Sequence, residues 1–345
     1  MFSRLLIALV LIGCATSSMI AQSSTATVIP LEGLDPVMLS QGKEVQGDLK
    51  VSVKRGQFEY LFANAENKAA FEKDPSRYEI QLEGHCARMG APTSGDPDLY
   101  AVHNGRIYVF GSSECQTLFK AAPEKYLEAS AAPKTPTAEM VKRGQELIAK
   151  AVEALGSKLD QLQSFQRTEL RGNQVKNILV LSFPDTLRQE TVRSTFTLAS
   201  VITPSEAFTV VNNVARPMSE ANRTFVNKEL YHEPLVLLRA RTRSDFKASA
   251  GEKSVDIELP GFTTTLEIDP GTGRVISQTY RGRGPGGVVG QILINYSNFR
   301  TVEGLSLPFK TTATFDGQPF PALSATVEAL TINGKIDPSS FRKPQ

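Results

Sequence analysis

Four residues carry the chemistry most readily suggested by this chain: two cysteines and two histidines. Cys115 falls at the third position of a helix that Ser112 is suited to cap. Backbone N–H groups there favour a thiolate, so a free Cys115 would be reactive or a metal ligand. Cys86 is its natural partner, and His85 and His103 could complete a two-cysteine, two-histidine zinc or copper site. No Cys-x-x-Cys or His-x-x-x-His spacing occurs, so folding would have to bring all four together. Three readings stay open: a Cys86–Cys115 disulfide, two unlinked thiols, and a metal site. A nucleophilic pair of Cys115 with His85 or His103 is formally available, but nothing local supports it. The chain also lacks a Gly-x-Ser-x-Gly elbow and a His-Glu-x-x-His motif. No catalytic site and no cofactor beyond the zinc or copper alternative is expected. His232 reads as a helix-end residue. Gly282 to Gly287 reads as a strand-connecting loop, since no helix follows to offer N–H groups to a phosphate. Arg281 beside it and Arg283 within it remain available to a lipid headgroup or an acidic partner.

The elements that would position these residues belong to an exported protein. Met1 to Arg4 are a short basic start, Leu5 to Ile12 an apolar run too short to span a bilayer, and Gly13 to Ser24 small and polar. That is the layout of a signal peptide over residues 1–24. Leu11-Ile12-Gly13-Cys14 resembles a bacterial lipobox, which makes Cys14 the candidate for acylation and an N-terminal lipid anchor the expected membrane contact. Export places Cys86 and Cys115 in an oxidising compartment, where a disulfide is the first expectation. The net charge of +2 over 345 residues gives no concentrated basic face, which argues against a nucleic-acid partner.

An internal repeat organises the first half. Tyr60-Leu61-Phe62, Glu66, Phe71 and Tyr78 recur as Tyr108-Val109-Phe110, Glu114, Phe119 and Tyr126, at a constant offset of 48 residues. Each copy predicts a strand, a short helix and a turn at proline, with the aromatic residues as its core. Residues 129–137 are small, polar and proline-containing and read as a linker. A helix follows, with Ile148, Ala151, Val152, Leu155, Leu159 and Leu162 on its apolar face. From about Val175 the pattern turns to short strands: Val255, Ile257 and Leu259 alternate with polar residues, as do Leu266 and Ile268, then Ile292, Ile294 and Tyr296. Tight turns at Asp269-Pro270-Gly271 and Asp316-Gly317 imply antiparallel pairing. Ser219 to Arg241 is a helical insertion, interrupted at Pro234. The fold class expected is α+β: a small strand–helix repeat pair, then a curled antiparallel sheet with packed helices.

Two family resemblances sharpen this. Residues 32–128 resemble the YHS domain family, on Asp35-Pro36-Val37, the Tyr60 to Asn67 stretch, Gly84-His85-Cys86-Ala87 and Gly95-Asp96-Pro97. The cysteines by which metal-binding members hold their ion are largely replaced: Met38, Ala63, Asn67 and Gly111 stand at or near their places, and Cys115 survives. Residues 138–345 are similar to the LolA-like lipoprotein-carrier fold, on the opening helix, Phe262 to Gly273, Tyr296 to Arg300, Val302-Glu303-Gly304-Leu305-Ser306-Leu307-Pro308 and the Ile332 to Phe341 ending. That resemblance implies an unclosed barrel around helices with an apolar interior.

Together these readings describe a non-catalytic, two-part binding protein of a bacterial envelope, in the periplasm or anchored as a lipoprotein. Its expected ligand is a lipid or other apolar small molecule, held by Leu266, Ile268, Ile292, Ile294 and Phe309 beneath a Ser219–Arg241 lid. A metal or redox protein using Cys86 and Cys115 is the main alternative, and a structural protein that docks an envelope partner is the other.

Overall fold

The computed structural model describes residues 27–127, 135–172 and 175–344. The proposed signal peptide, Cys14 and most of the proposed linker lie outside the described residues. The chain forms two compact units, Met1–Lys73 and Asp74–Gln345.

The first unit holds α1 (Pro36–Ser40), β1 (Asp48–Arg55), β2 (Phe58–Phe62) and α2 (Ala65–Lys73). Strands β1 and β2 form an antiparallel hairpin with a bulge between Asp48 and Ser52. Its core is aromatic, with Phe62 meeting Phe71 edge-on at 5.2 Å. At its centre lies Asp35, fully buried. One carboxylate oxygen caps α1 by accepting from the Val37 and Met38 N–H groups at 2.8 and 3.2 Å. The other accepts from Ala63 N at 2.8 Å and Asn67 Nδ2 at 2.7 Å.

The second unit begins with the repeat of that plan: α3 (Pro75–Tyr78), β3 (Asp96–His103), β4 (Arg106–Phe110) and α4 (Ser113–Ala121). The β3–β4 hairpin carries the same bulge, between Asp96 and Tyr100. A Leu-Glu-Gly turn with a left-handed glutamate precedes each copy's central residue, at Leu31–Gly33 and again at Leu82–Gly84. In each copy a glycine, Gly47 or Gly95, lies where a Cβ would collide with Leu61 or Val109, so the chain can cross the hairpin closely.

The rest is one large sheet with helices. After α5 (Ala138–Leu155) come β5 (Ser164–Arg171), β6 (Val175–Ser182), β7 (Thr186–Val192), β8 (Thr197–Ile202), β9 (Ala207–Val211) and β10 (Val214–Pro217). The helices α6 (Glu220–Glu229) and α7 (Pro234–Arg239) interrupt the strands. Then follow β11 (Lys247–Ala250), β12 (Ser254–Leu259), β13 (Phe262–Ile268), β14 (Val275–Arg283), β15 (Val289–Val302), β16 (Leu305–Phe315), β17 (Gln318–Pro319) and β18 (Ala325–Ile332). The path runs β10-β9-β8-β7-β6-β5-β18-β16-β15-β14-β13-β12-β11, with β17 on β16. Every pairing is antiparallel. Two meanders are thus sewn together by the last strand, and the curled sheet keeps two free edges, β10 and β11, in place of closing into a barrel.

The alternation predicted for β12 is the one observed: Val255, Ile257 and Leu259 are buried while Asp256 and Glu258 are exposed. The apolar face of α5 buries Ile148, Ala151 and Leu155 in the core shared with α7 and the inner sheet face. Gly144 lets α5 approach β11, since a Cβ there would lie 2.8 Å from the Ala248 carbonyl. This close contact accounts for a residue that costs about 1 kcal/mol inside a helix.

The unit boundary falls between the two copies of the repeat, whereas the linker composition placed it at 129–137. The second copy groups with the large sheet because specific hydrogen bonds join them. Arg283 of β14 donates to the carbonyls of Arg88 and Gly287 at 2.8 and 2.9 Å and to that of Ala87 at 3.2 Å. His85 Nε2 meets Asn222 Oδ1 of α6 at 2.8 Å.

Candidate functional site

The inner face of the sheet is not filled evenly. A cavity of about 160 Å³ opens beneath the helical insertion, against α5, β5, β6, β14, β15, β16 and β18. Its apolar wall includes Leu155, Phe165, Leu179, Leu235, Leu238, Ile294 and Leu307. Its polar wall includes Arg167, Glu169, Arg171, His232 and Glu233.

The insertion is built from local signals. Ser219 caps α6 by accepting from Asn222 N at 3.2 Å. The helix gives way to a 3-10 turn at Leu230–His232, and Pro234 restarts the chain as α7, where its missing N–H costs nothing. Leu235, Leu237 and Leu238 bury the underside of α7.

A few polar contacts fasten this segment down. Arg167 of β5 forms a two-pronged ion pair with Glu233, one prong at 2.6 Å. Glu169, two residues along the same face of β5, pairs with Arg167 at 3.0 Å and with Arg171 at 2.6 Å. Burial opposes charge on Glu169, but Arg167 and Arg171 outweigh it and hold the carboxyl below its ordinary range. Arg167 stays a cation: burial works against it, and Glu233 and Glu169 more than compensate. Gln278 donates to the Tyr231 carbonyl at 3.2 Å and accepts from the Tyr296 hydroxyl at 2.8 Å. Burial pushes both the Tyr296 and Tyr280 phenols up, so both remain neutral donors. The His232 ring stacks on Tyr280 with centroids 3.9 Å apart. Arg239 anchors α7 by donating to the carbonyls of Leu159 and Leu162 at 3.0 and 2.9 Å.

Of the five residues expected to line a cavity, Ile294 does so. Leu266, Ile268 and Ile292 belong to the packed core, and Phe309 is buried with the Arg300 guanidinium over its ring at 4.5 Å. All five are buried, but alternation does not say where the helices leave the inner face uncovered. The charged members were missed. Their sequence signal is Arg167, Glu169 and Arg171 at alternate positions of one strand, a charged stripe on a face that also carries buried Phe165. A larger groove of about 650 Å³ follows α5 and the edge strand β11, bordered by Arg241, Lys247, Asp256 and Glu258. Its wall is as mixed as the one beneath the insertion, with Val141, Ile148, Phe246 and Ala248 beside the charged residues.

The cysteines tell a different story from the one expected. Cys86 and Cys115 are both buried and both free, so the expected disulfide is not formed in this structure. The four-residue metal site is not assembled either. His85 is taken up by the Leu82 carbonyl and Asn222, and His103 by Glu124 at 2.9 Å and Asn104 at 3.0 Å. Among the described residues no group of three or more histidine, cysteine or acidic side chains is placed to hold a metal ion. What meets Cys115 is Arg88, whose Nη1 lies 3.7 Å from the sulfur.

Fold and site together define an open, curled antiparallel sheet of the α+β class, with a helix-covered cavity on its inner face. No family model matches the chain, and no curated protein matches it. Solved structures similar to it at low identity include the following two. One is a DUF1329 family protein from Desulfovibrio piger, 10% identical, with 59% of this chain and 97% of that one covered at a TM-score of 0.38. The other is a LolA superfamily protein from Nitrosomonas europaea, 9% identical, with 58% and 97% covered at a TM-score of 0.33. Among the described residues no helix is long and apolar enough to cross a membrane.

Proposed function

We propose that this chain is a binding protein of a bacterial envelope that takes the apolar part of a lipid, unchanged, into the cavity beneath α6 and α7. The observation that carries the reading is that cavity: an apolar wall, a charged cluster of Arg167, Glu169, Arg171 and Glu233, and a helical cover. Its present size, about 160 Å³, is close to the ~150 Å³ apolar cavity that accommodates one benzene and below the ~300–1,000 Å³ usual for ligand sites. On this reading the described form is the closed one. A long acyl chain enters when the insertion lifts, which requires parting Arg167 from Glu233 and Gln278 from the Tyr231 carbonyl. Each methylene then buried contributes about 0.8 kcal/mol, so a chain of ordinary length offsets the opening cost. The sequence resemblance of residues 138–345 to lipoprotein carriers agrees with this use. The resemblance of residues 32–128 to YHS domains and the lipobox at Cys14 are the remaining parts of the same reading.

Displacement of a fluorescent fatty acid from the full chain tests it. Saturable binding is expected in the wild type. It should be weakened in Ile294→Ala and suppressed in Ile294→Asp, which puts an unpaired charge against the apolar wall. A wild-type protein that melts cooperatively and shows no saturable binding would leave the cavity as a packing feature of a structural or docking protein.

A further inference from the structure

The two copies of the repeat close the same junction with different chemistry. In the first, Asp35 follows the Leu-Glu-Gly turn and its carboxylate accepts from Ala63 N and Asn67 Nδ2 at the start of α2. In the second, Cys86 follows the Leu-Glu-Gly turn, and Gly111 and Cys115 take the places of Ala63 and Asn67. Backbone pairings agree: Leu34 bridges Gln46 as His85 bridges Ser94. A hydrogen-bonded Asp–Asn pair in one copy is thus a pair of neighbouring thiols in the other. The scaffold does not need sulfur at this junction, so the two thiols are surplus to folding.

The surroundings of the second pair suit a reactive sulfur. Cys115 N donates to the Ser112 hydroxyl at 3.3 Å, which fixes the sulfur at the first turn of α4. Arg88 points its Nη1 at that sulfur from 3.7 Å. The Arg88 Nε is buried and has no hydrogen-bond acceptor. Burial opposes a thiolate at Cys115, but hydrogen bonds from Ser112, Arg88 and Cys86 outweigh it and hold the thiol below the ordinary cysteine range. Cys115 is 7% exposed and Cys86 fully buried, so a small oxidant reaches the first and a protein disulfide reaches neither.

We propose that Cys115 and Cys86 are a redox pair whose substrate is a small hydroperoxide, with Cys115 as the attacking sulfur, Cys86 as the resolving one and Arg88 as the group that holds the peroxide. The Cys115 thiolate attacks one peroxide oxygen, the O–O bond breaks, and the departing alkoxide or hydroxide takes up a proton. Cys115 becomes a sulfenic acid. The Cys86 sulfur then attacks it, an S–S bond forms, and the hydroxyl leaves as water with the Cys86 proton. Two thiols are oxidised by two electrons and one hydroperoxide is reduced to an alcohol, or to water from hydrogen peroxide, with a further water released. The free thiols described here and the disulfide expected for an oxidising compartment are the two ends of this step.

The test uses the full chain, reduced and freed of reductant, with stoichiometric hydrogen peroxide at pH 7. Two thiols should be lost per peroxide, and peptide mapping should find Cys86 bonded to Cys115. The rate should exceed that of free cysteine by roughly tenfold or more. Cys115→Ser should consume no peroxide. Cys86→Ser should stop at a sulfenic acid trapped on Cys115 by dimedone. Arg88→Gln should slow the reaction about tenfold and move its pH midpoint upward, toward an ordinary thiol. The double variant Cys86→Asp with Cys115→Asn copies the first repeat, and should keep the thermal melt while losing the reaction. Thiols that react no faster than free cysteine, a rate unchanged in Arg88→Gln, or trapping on Cys86 in Cys115→Ser would each overturn the proposal.

Discussion

The first copy of the repeat closes upon itself, and the second is built to be used. Both have a bulged hairpin, a nine-residue helix and an aromatic core around Phe71 or Phe119. In the first, the central residue is a carboxylate with four N–H partners, all in its own unit. In the second, the same turn delivers a thiol, and the residues flanking it reach outward. His85 meets α6 of the helical cover, and the Ala87 and Arg88 carbonyls receive Arg283 of the sheet. One module satisfies its central polar group internally, and the other carries two free thiols at that place and bonds to the helical cover and the large sheet.

Substitutions at matched positions should separate the two copies. The largest effect is expected at Asp35→Ala, which strands several buried N–H donors and should cost about 3 kcal/mol. Cys86→Ala, at the equivalent place, should cost no more than roughly 1 kcal/mol. Urea unfolding followed by hydrogen exchange in residues 36–71 and 86–119 reads both, and equal losses would break the comparison. Next is Arg283→Ala, which removes donors to carbonyls of the second copy. It should destabilise the second unit by about 2 kcal/mol and raise exchange in residues 85–90 while leaving residues 36–71 unchanged.

Acid is a gentler probe of the region the second copy touches. Glu169 has a folded-state affinity for protons below that of an unfolded glutamate. Its stabilising pairs are therefore fully present above the ordinary carboxylate range, near 4.5, and are lost as pH falls through the lower folded value. Melts of the wild type should decline more steeply below that range than melts of Glu169→Gln, which lacks this ionisation. Parallel profiles would show that the cluster carries no linked stability. The smallest expected effect is His85→Ala, about 1 kcal/mol, seen as faster exchange in α6.

Much of this plan is legible in the residues. The 48-residue offset marks the duplicated hairpin and helix, alternation at Val255, Ile257 and Leu259 marks the inner sheet face, and Pro234 marks the break in the helical cover. The pairing of Cys86 with Cys115 is legible, but its equivalence to Asp35–Asn67 escapes notice because the loop after the Leu-Glu-Gly turn differs in length between copies, which shifts the register of the first partner. The Arg167–Glu233 pair joins residues 66 positions apart, and no local pattern encodes such a distance. The cavity escapes for a related reason. Leu266, Ile268 and Ile294 have the same pattern, but helix placement leaves only Ile294 beside the opening.

The central claim is that the closed cavity beneath α6 and α7 opens to an apolar chain. Native mass spectrometry of the full chain, isolated from its native cells without detergent, tests it most directly. The account predicts a population heavier than the polypeptide by the mass of one lipid, absent from Ile294→Asp prepared in the same way. A wild-type protein that carries no such mass and takes up none when offered fatty acid would contradict it.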